Sequence, residues 1–155
     1  MAPLLDLEAQ AQWLMQRAEF ERARVILEHI IERSPDNAIV NEMRGVCLTR
    51  LGEYEQARAV LEQVLKQRPD RALAAFHLAL CHERTGQLAR ACELYALAVK
   101  LDERYAPAHL RLGNILWAQG DQAGARPHYE RYLALEPGDP PREAAVRERL
   151  QQDGG

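Results

Sequence analysis

The sequence predicts an all-α array of stacked antiparallel helix pairs, and three observations predict it. Small residues recur every 34 positions as Ala23, Ala57, Ala91 and Ala125, with Ala11, Gly45, Ala79 and Gly113 in step twelve residues earlier. The same register is kept at the turns by Ala18, Gly52, Gly86 and Gly120, and on the second helices by Leu27, Leu61, Tyr95 and Tyr129. Between these markers the apolar residues follow helical spacing, for example Val46, Leu48 and Leu51, then Ala57, Val60, Leu61, Val64 and Leu65. A period of this length marks a helix-turn-helix unit stacked several times, because one pair of helices cannot bury its own apolar face.

Four units follow from this frame, over residues 4–37, 38–71, 72–105 and 106–139, and with the C-terminal segment they form one domain over 1–155. In the first unit the turn carries Ala18 where the others carry glycine, the residue that takes a left-handed backbone at least cost. The second and third turns read Leu-Gly-Glu-Tyr-Glu-Gln-Ala and Thr-Gly-Gln-Leu-Ala-Arg-Ala, each placing an acid or amide near the next helix N-terminus. Pro35, Pro69 and Pro137 close their units because proline cannot continue a helix; Glu103 interrupts that series. Small side chains at Gly45 and Ala57 predict a close helix crossing. In the fourth unit Pro127 lies six residues beyond Asp121, near the helix start, and is expected to bend the helix at most. After Pro137-Gly138-Asp139-Pro140-Pro141, a capping helix is expected over 141–152 with Val146 and Leu150 on its inner face, followed by a frayed Asp153-Gly154-Gly155.

Composition restricts the function classes. The 155 residues are 47% hydrophobic and 28% charged, as in a folded chain. Net charge is -3 with acids and bases interspersed, so no single-sign stripe would gather nucleic acid or anionic lipid. Of the 20 basic residues only Lys66 and Lys100 are lysines, a bias that fits a GC-rich bacterial genome. The N-terminus carries Asp6 in place of a basic signal-peptide region and no stretch reaches the length of a membrane span, so a cytoplasmic location is expected. Cys47, Cys81 and Cys92 fall at core-type positions, where a reduced thiol substitutes for alanine.

Catalytic chemistry is not evident. The sole serine, Ser34, precedes Pro35 at a helix end, and phosphate-binding glycine loops, Cys-x-x-Cys and His-Glu-x-x-His are all missing. His77 and Cys81 stand four apart on one helix, yet two divergent ligands cannot close a tetrahedral metal site. His29, His82, His109 and His128 are scattered along the chain. Neither cofactor nor metal is expected, and the chain is read as a non-enzyme.

The lattice of small residues, turn glycines, second-helix aromatics and unit-closing prolines resembles the tetratricopeptide repeat family. The resemblance covers nearly the whole chain and departs from the family at position 4, where Leu7, Asn41, Ala75 and His109 stand for an aromatic. It implies a right-handed α-solenoid whose first helices line a concave face. Positions 2, 5, 6, 9, 12 and 13 of each unit would point inward. The first unit would then present Leu5, Glu8, Ala9, Gln12, Met15 and Gln16, and the second Ile39, Glu42, Met43, Val46, Thr49 and Arg50. The third would present Leu73, Phe76, His77, Leu80, Glu83 and Arg84, and the fourth Pro107, Leu110, Arg111, Asn114, Trp117 and Ala118.

Of these, Met43, Val46, Arg50, Phe76, His77, Leu80, Arg84, Leu110, Arg111, Asn114 and Trp117 are the expected partner-binding residues. Aromatic anchors would supply most of the binding energy and arginines would pair with an acidic group or a carbonyl. Family members that clamp a C-terminal carboxylate use lysine and asparagine; here Asn114 alone falls at such a position and no groove lysine exists. The resemblance therefore implies an adaptor, scaffold or chaperone-like module for an apolar peptide segment, with no nucleic acid and no membrane span. A self-assembling scaffold forming dimers or filaments is the alternative, and a regulatory repeat subunit or domain of an enzyme is a third.

Overall fold

Helical apolar spacing without any strand pattern becomes nine α-helices among the described residues. The structure, a computed structural model, describes residues 4–152, with side chains from Asp6 to Gln152. The first helices α1 (Leu4–Gln16), α3 (Ala38–Arg50), α5 (Ala72–Arg84) and α7 (Ala106–Ala118) begin 34 residues apart. So do the second helices α2 (Phe20–Arg33), α4 (Tyr54–Gln67), α6 (Leu88–Leu101) and α8 (Gln122–Ala134). One interval after α7 begins α9 (Pro140–Gln152). The fold is an all-α helical repeat. The side chain expected inward at Leu5 and the frayed end expected at Asp153-Gly154-Gly155 lie outside the described residues.

Each first helix stops by the same hydrogen-bond motif. After α3, Gly52 N–H donates to the Thr49 carbonyl at 3.1 Å and Glu53 N–H to the Leu48 carbonyl at 2.9 Å, the paired bonds that close a helix on a left-handed residue. The pattern recurs at Gly86 with Gln87, at Gly120 with Asp121, and at Ala18 with Glu19. Glycine takes φ +81° at Gly52, whereas Ala18 is held at φ 60° with a β-carbon in a region that disfavours one. The left-handed strain of about 1–2 kcal/mol exceeds the roughly 0.4–1 kcal/mol of unfolded-state entropy that alanine saves over glycine. Ala18→Gly is therefore expected to raise stability by about 0.5–1 kcal/mol, read as a higher midpoint of urea unfolding. Side chains cap helix starts at Asn37, whose Oδ1 accepts from Val40 N–H at 3.1 Å, at Asp121, whose Oδ1 accepts from Gly124 N–H at 2.8 Å, and at Asp139, whose Oδ1 accepts from Arg142 N–H at 3.3 Å.

The chain forms two compact units, Met1–Ala91 and Cys92–Gly155, the division falling inside α6. In the first, Ala11, Leu14, Ala23, Leu27, Ile30, Val40 and Cys47 form a buried cluster. The small-residue lattice has a direct packing cause there. A β-carbon on Gly45 would sit 2.5 Å from Leu61 Cδ2 and 2.6 Å from Leu61 Cγ, and Leu61 is itself fully buried. Ala57 is buried completely on the same helix as Leu61. Ala57→Leu is expected to lower stability by about 1–3 kcal/mol through overpacking, because neighbouring side chains cannot swing outward. A matching urea midpoint for variant and parent would count against this register.

Successive repeats of the first unit are joined by a polar contact that itself repeats. Asn37 Nδ2 donates to Glu8 Oε1 at 3.3 Å, and 34 residues on Arg71 grips Glu42 with Nε at 3.0 Å and Nη2 at 2.6 Å. Asn37 and Arg71 are the N-cap residues immediately before α3 and α5, so each contact fixes a helix start to the first helix of the preceding repeat. Cys81 completes the contact between α5 and α3, its Sγ lying 3.3 Å from Thr49 Oγ1.

In the second unit a β-carbon on Gly113 would meet the Tyr129 ring at 2.8 Å, the same pairing of positions as Gly45 with Leu61. Pro127 lies within an uninterrupted α8. Ala125, Tyr129, Tyr132 and Val146 form the buried cluster, with Leu150 packed against it, so α9 meets the core through the two residues expected from their spacing. Among the described residues no helix is long and apolar enough to cross a membrane.

Candidate functional site

First helices carry the expected partner-binding residues, and each unit presents its own set. In the first unit Ile39, Met43, Val46 and Arg50 lie on α3, and Leu73, Phe76, His77, Leu80 and Arg84 on α5. Val46, Phe76 and His77 are buried, Met43 and Leu80 half-buried, and Arg50 and Arg84 exposed. Ile39 and Leu73 occupy the same position of consecutive repeats and remain 38% and 37% exposed despite being aliphatic. Met43 packs in part against the unit's core cluster. The Arg50 guanidinium stands 4.9 Å from the centre of the Phe20 ring.

His77 has a distinctive environment. Its ring meets that of Phe76 edge to face at 5.2 Å, only 6% of the residue is exposed, and its Nδ1 has no hydrogen-bond partner. Burial and, secondarily, the nearby Arg50 charge hold its pKa down to about 4, so the imidazole is neutral near pH 7. Glu8 and Glu42, expected from the sequence to face inward, are instead engaged by Asn37 and Arg71 in the contacts between repeats. Both pairs are separated by 29 residues, and the second lies one period after the first.

In the second unit Leu110, Arg111, Asn114 and Trp117 lie along α7 and are all half-buried. Asn114 Oδ1 accepts from Tyr129 OH at 3.0 Å and from Arg149 Nη1 at 2.5 Å, while Arg149 also donates to Tyr129 OH at 2.6 Å. The Arg149 guanidinium lies 6.0 Å from the Trp117 ring and 5.7 Å from that of Tyr129. Burial raises the Tyr129 pKa, the Arg149 charge opposing it. The asparagine at the position that other repeats use for a carboxylate is thus already bonded to α9. Leu110 and Trp117 pack partly against the unit's core.

The cysteines follow the sequence reading in part: Cys47 and Cys81 are buried and Cys92 half-buried, all three as free thiols. Burial pushes Cys47 up to about 11 and Cys81 upward too, so neither is an activated nucleophile. His77 and Cys81 are committed to different neighbours, Phe76 and Thr49. Among the described residues no group of three or more His, Cys, Asp or Glu is placed to hold a metal ion. His109 and His128, scattered along the sequence, are brought together by the fold between α7 and α8.

Comparison with known proteins gives a consistent picture. The tetratricopeptide repeat family matches residues 8–60, 48–106 and 106–139. None of the curated proteins matches the sequence. A thermophilic TPR protein from Thermus thermophilus has a similar structure, with TM-score 0.79, 20% identity, and 98% of this chain and 84% of that one covered. The MamA 41-end structure from Desulfovibrio magneticus RS-1 is similar at TM-score 0.74 and 24% identity, covering 88% of this chain and 77% of that one. At these identities the likeness concerns the fold.

Proposed function

The chain belongs to the tetratricopeptide repeat family, and from that premise we infer that it is a non-enzymatic interaction module, an adaptor, scaffold or chaperone-like protein that holds an apolar segment of another polypeptide. The observation that carries this reading is the exposure of Ile39 and Leu73 at one repeated position of consecutive first helices. Large aliphatic side chains left wet in register, with exposed Arg50 and Arg84 farther along the same helices, have the anatomy of a protein-binding patch: an apolar centre and a charged rim. Met43, Val46, Phe76, His77 and Leu80 would shape that surface in the first unit. Leu110, Arg111, Asn114 and Trp117 are the corresponding residues proposed for the second. A partner with an apolar stretch beside an acidic residue suits these chemistries.

Immobilised wild-type chain, Leu73→Asp, Leu80→Glu and an outward control, Glu62→Lys, would be compared for proteins retained from lysate, after circular dichroism establishes that all are helical. A polypeptide held by wild type and control and lost from both Leu variants is the expected result. Equal retention by all four chains overturns the reading.

One observation favours self-assembly as a second reading. Trp13 occupies the position of Cys47 and Cys81, which are fully buried, yet it is 54% exposed with Arg17 stacked 4.7 Å from its ring. The first repeat thus leaves uncovered a position that later repeats bury. Self-assembly through that end predicts a mass that rises with concentration by light scattering and falls to the monomer in Trp13→Glu.

A further inference from the structure

Between the segment that joins α2 to α3 and the body of α4 lies a cavity of about 330 Å³, at the small end of the range for ligand sites. Pro35, Ala59, Val60 and Val64 give it an apolar wall, with Val60 and Val64 one turn apart on α4. Its polar lining is Asp36, Asn41, Gln63 and Gln67, so Asp36 is its one charged side chain. The cavity has a local cause. Asn41 occupies the position held by Leu7, Ala75 and His109 in the other repeats, and those three are taken up in packing. Leu7 lies against the core cluster, and Ala75 and His109 are buried. Asn41 instead turns its Nδ2 to the Pro35 carbonyl at 2.8 Å and the Asn37 carbonyl at 3.2 Å. That leaves the space beside Val60 and Val64 open and the Asn41 Oδ1 as an acceptor.

We propose that this cavity binds a small organic cation, an ammonium carried on an apolar body. Pro35, Val60 and Val64 cover the body, and the Asp36 carboxylate and Asn41 Oδ1 accept from the ammonium N–H groups. The backbone field has the matching sign. The cavity adjoins the C-terminal ends of two helices, α2 at Arg33 and α4 at Gln67, against the N-terminal end of α3 alone. Arg33, Lys66 and Arg68, the neighbouring bases in sequence, are not part of the lining, and Arg68 is paired with Asp70. An anion of the same shape meets Asp36 with like charge. Gln63 and Gln67, both exposed, can turn either amide atom to a ligand, so they add contact without choosing its charge. None of the lining residues belongs to the first-helix surface proposed for a polypeptide partner. A free amine and a lysine side chain of a bound polypeptide share this chemistry, and the shape of the probe separates them.

Phenethylammonium chloride, titrated into the full isotope-labelled chain at neutral pH and followed by backbone amide resonances, tests the site, with phenylpropionate as the anion of matching shape. The expected result is saturable movement of the Asn41, Val60 and Val64 resonances with the ammonium and none with the carboxylate. Acetyl-lysine methylamide is expected to bind more weakly, because its thin stem covers less of Val60 and Val64; the reverse order would assign the cation to a partner's lysine. Asp36→Asn should weaken binding about threefold to fivefold, the worth of one solvent-accessible ion pair. Ala59→Trp, at an exposed position of α4, fills the cavity and should abolish binding while circular dichroism remains helical. Absence of saturable shifts in the parent chain, equal binding of the carboxylate, or ammonium binding unchanged in either variant would overturn the proposal.

Discussion

Arg71→Ala is expected to destabilise the chain by about 3 kcal/mol, with the loss read as a lower midpoint in urea at neutral pH. Glu42 is only 2% exposed, and both of its oxygens are taken by the Arg71 guanidinium in a forked pair. Removing the arginine leaves a carboxylate inside the stack without its cation, which costs far more than deleting a surface ion pair. Arg71 is itself partly solvated, so the expected loss lies toward the lower end of the range for buried pairs. The double variant Glu42→Leu with Arg71→Leu should recover much of the stability, because the desolvated charge then goes as well. A single variant as stable as its parent would mean that Glu42 reaches water.

Acid is expected to weaken the fold through His77, by about 3 kcal/mol between pH 6.5 and pH 4. The folded chain holds this imidazole neutral, with its pKa lowered to about 4 by burial first and by Arg50 second, while the unfolded chain protonates it near 6.5. Above pH 6.5 neither state takes the proton and the contribution is present in full. As pH falls toward 4 the unfolded state gains a proton that the folded state refuses, and stability declines at about 1.4 kcal/mol per pH unit. His77→Phe should flatten that part of the pH profile. An unchanged slope would assign acid sensitivity elsewhere, His128 being the other histidine whose pKa is lowered by burial and then by its neighbour His109.

The repeat itself was legible because its causes are local or strictly periodic. Gly45 and Gly113 are small because Leu61 and Tyr129 occupy the space of their β-carbons, and a sequence shows such pairs as columns 34 residues apart. The turn at Ala18 was legible as an exception, and its φ of 60° is the strain that an alanine in the glycine column implies. Helix starts at Leu4, Ala38, Ala72 and Ala106 follow from the same register. Pro127 inside α8 shows the limit of a breaker signal, since the packing of Ala125, Tyr129 and Tyr132 carries the helix through it.

The surface was harder to read. Periodicity places a residue on a face and is silent about which neighbour occupies it. Glu42 was assigned to an open face by its column, but a long arginine from the next helix start reaches back to it. Asn114 and Trp117 were assigned likewise, and Arg149 from α9 lies against both. Neither arginine belongs to a repeated column, because Asn37 stands where Arg71 does one period earlier and Cys81 and Ile115 precede Arg149 in its column. The His109–His128 pair escapes for the same reason: neither histidine repeats along the chain, and the two meet only when the helices pack.

Hydrogen–deuterium exchange on the chain with its captured partner is the most direct test of the binding surface. Slowed exchange is expected along α3 and α5 around Ile39 and Leu73, with α2 and α4 unchanged. Slowing confined to α2 and α4, or no change on any helix, would contradict it.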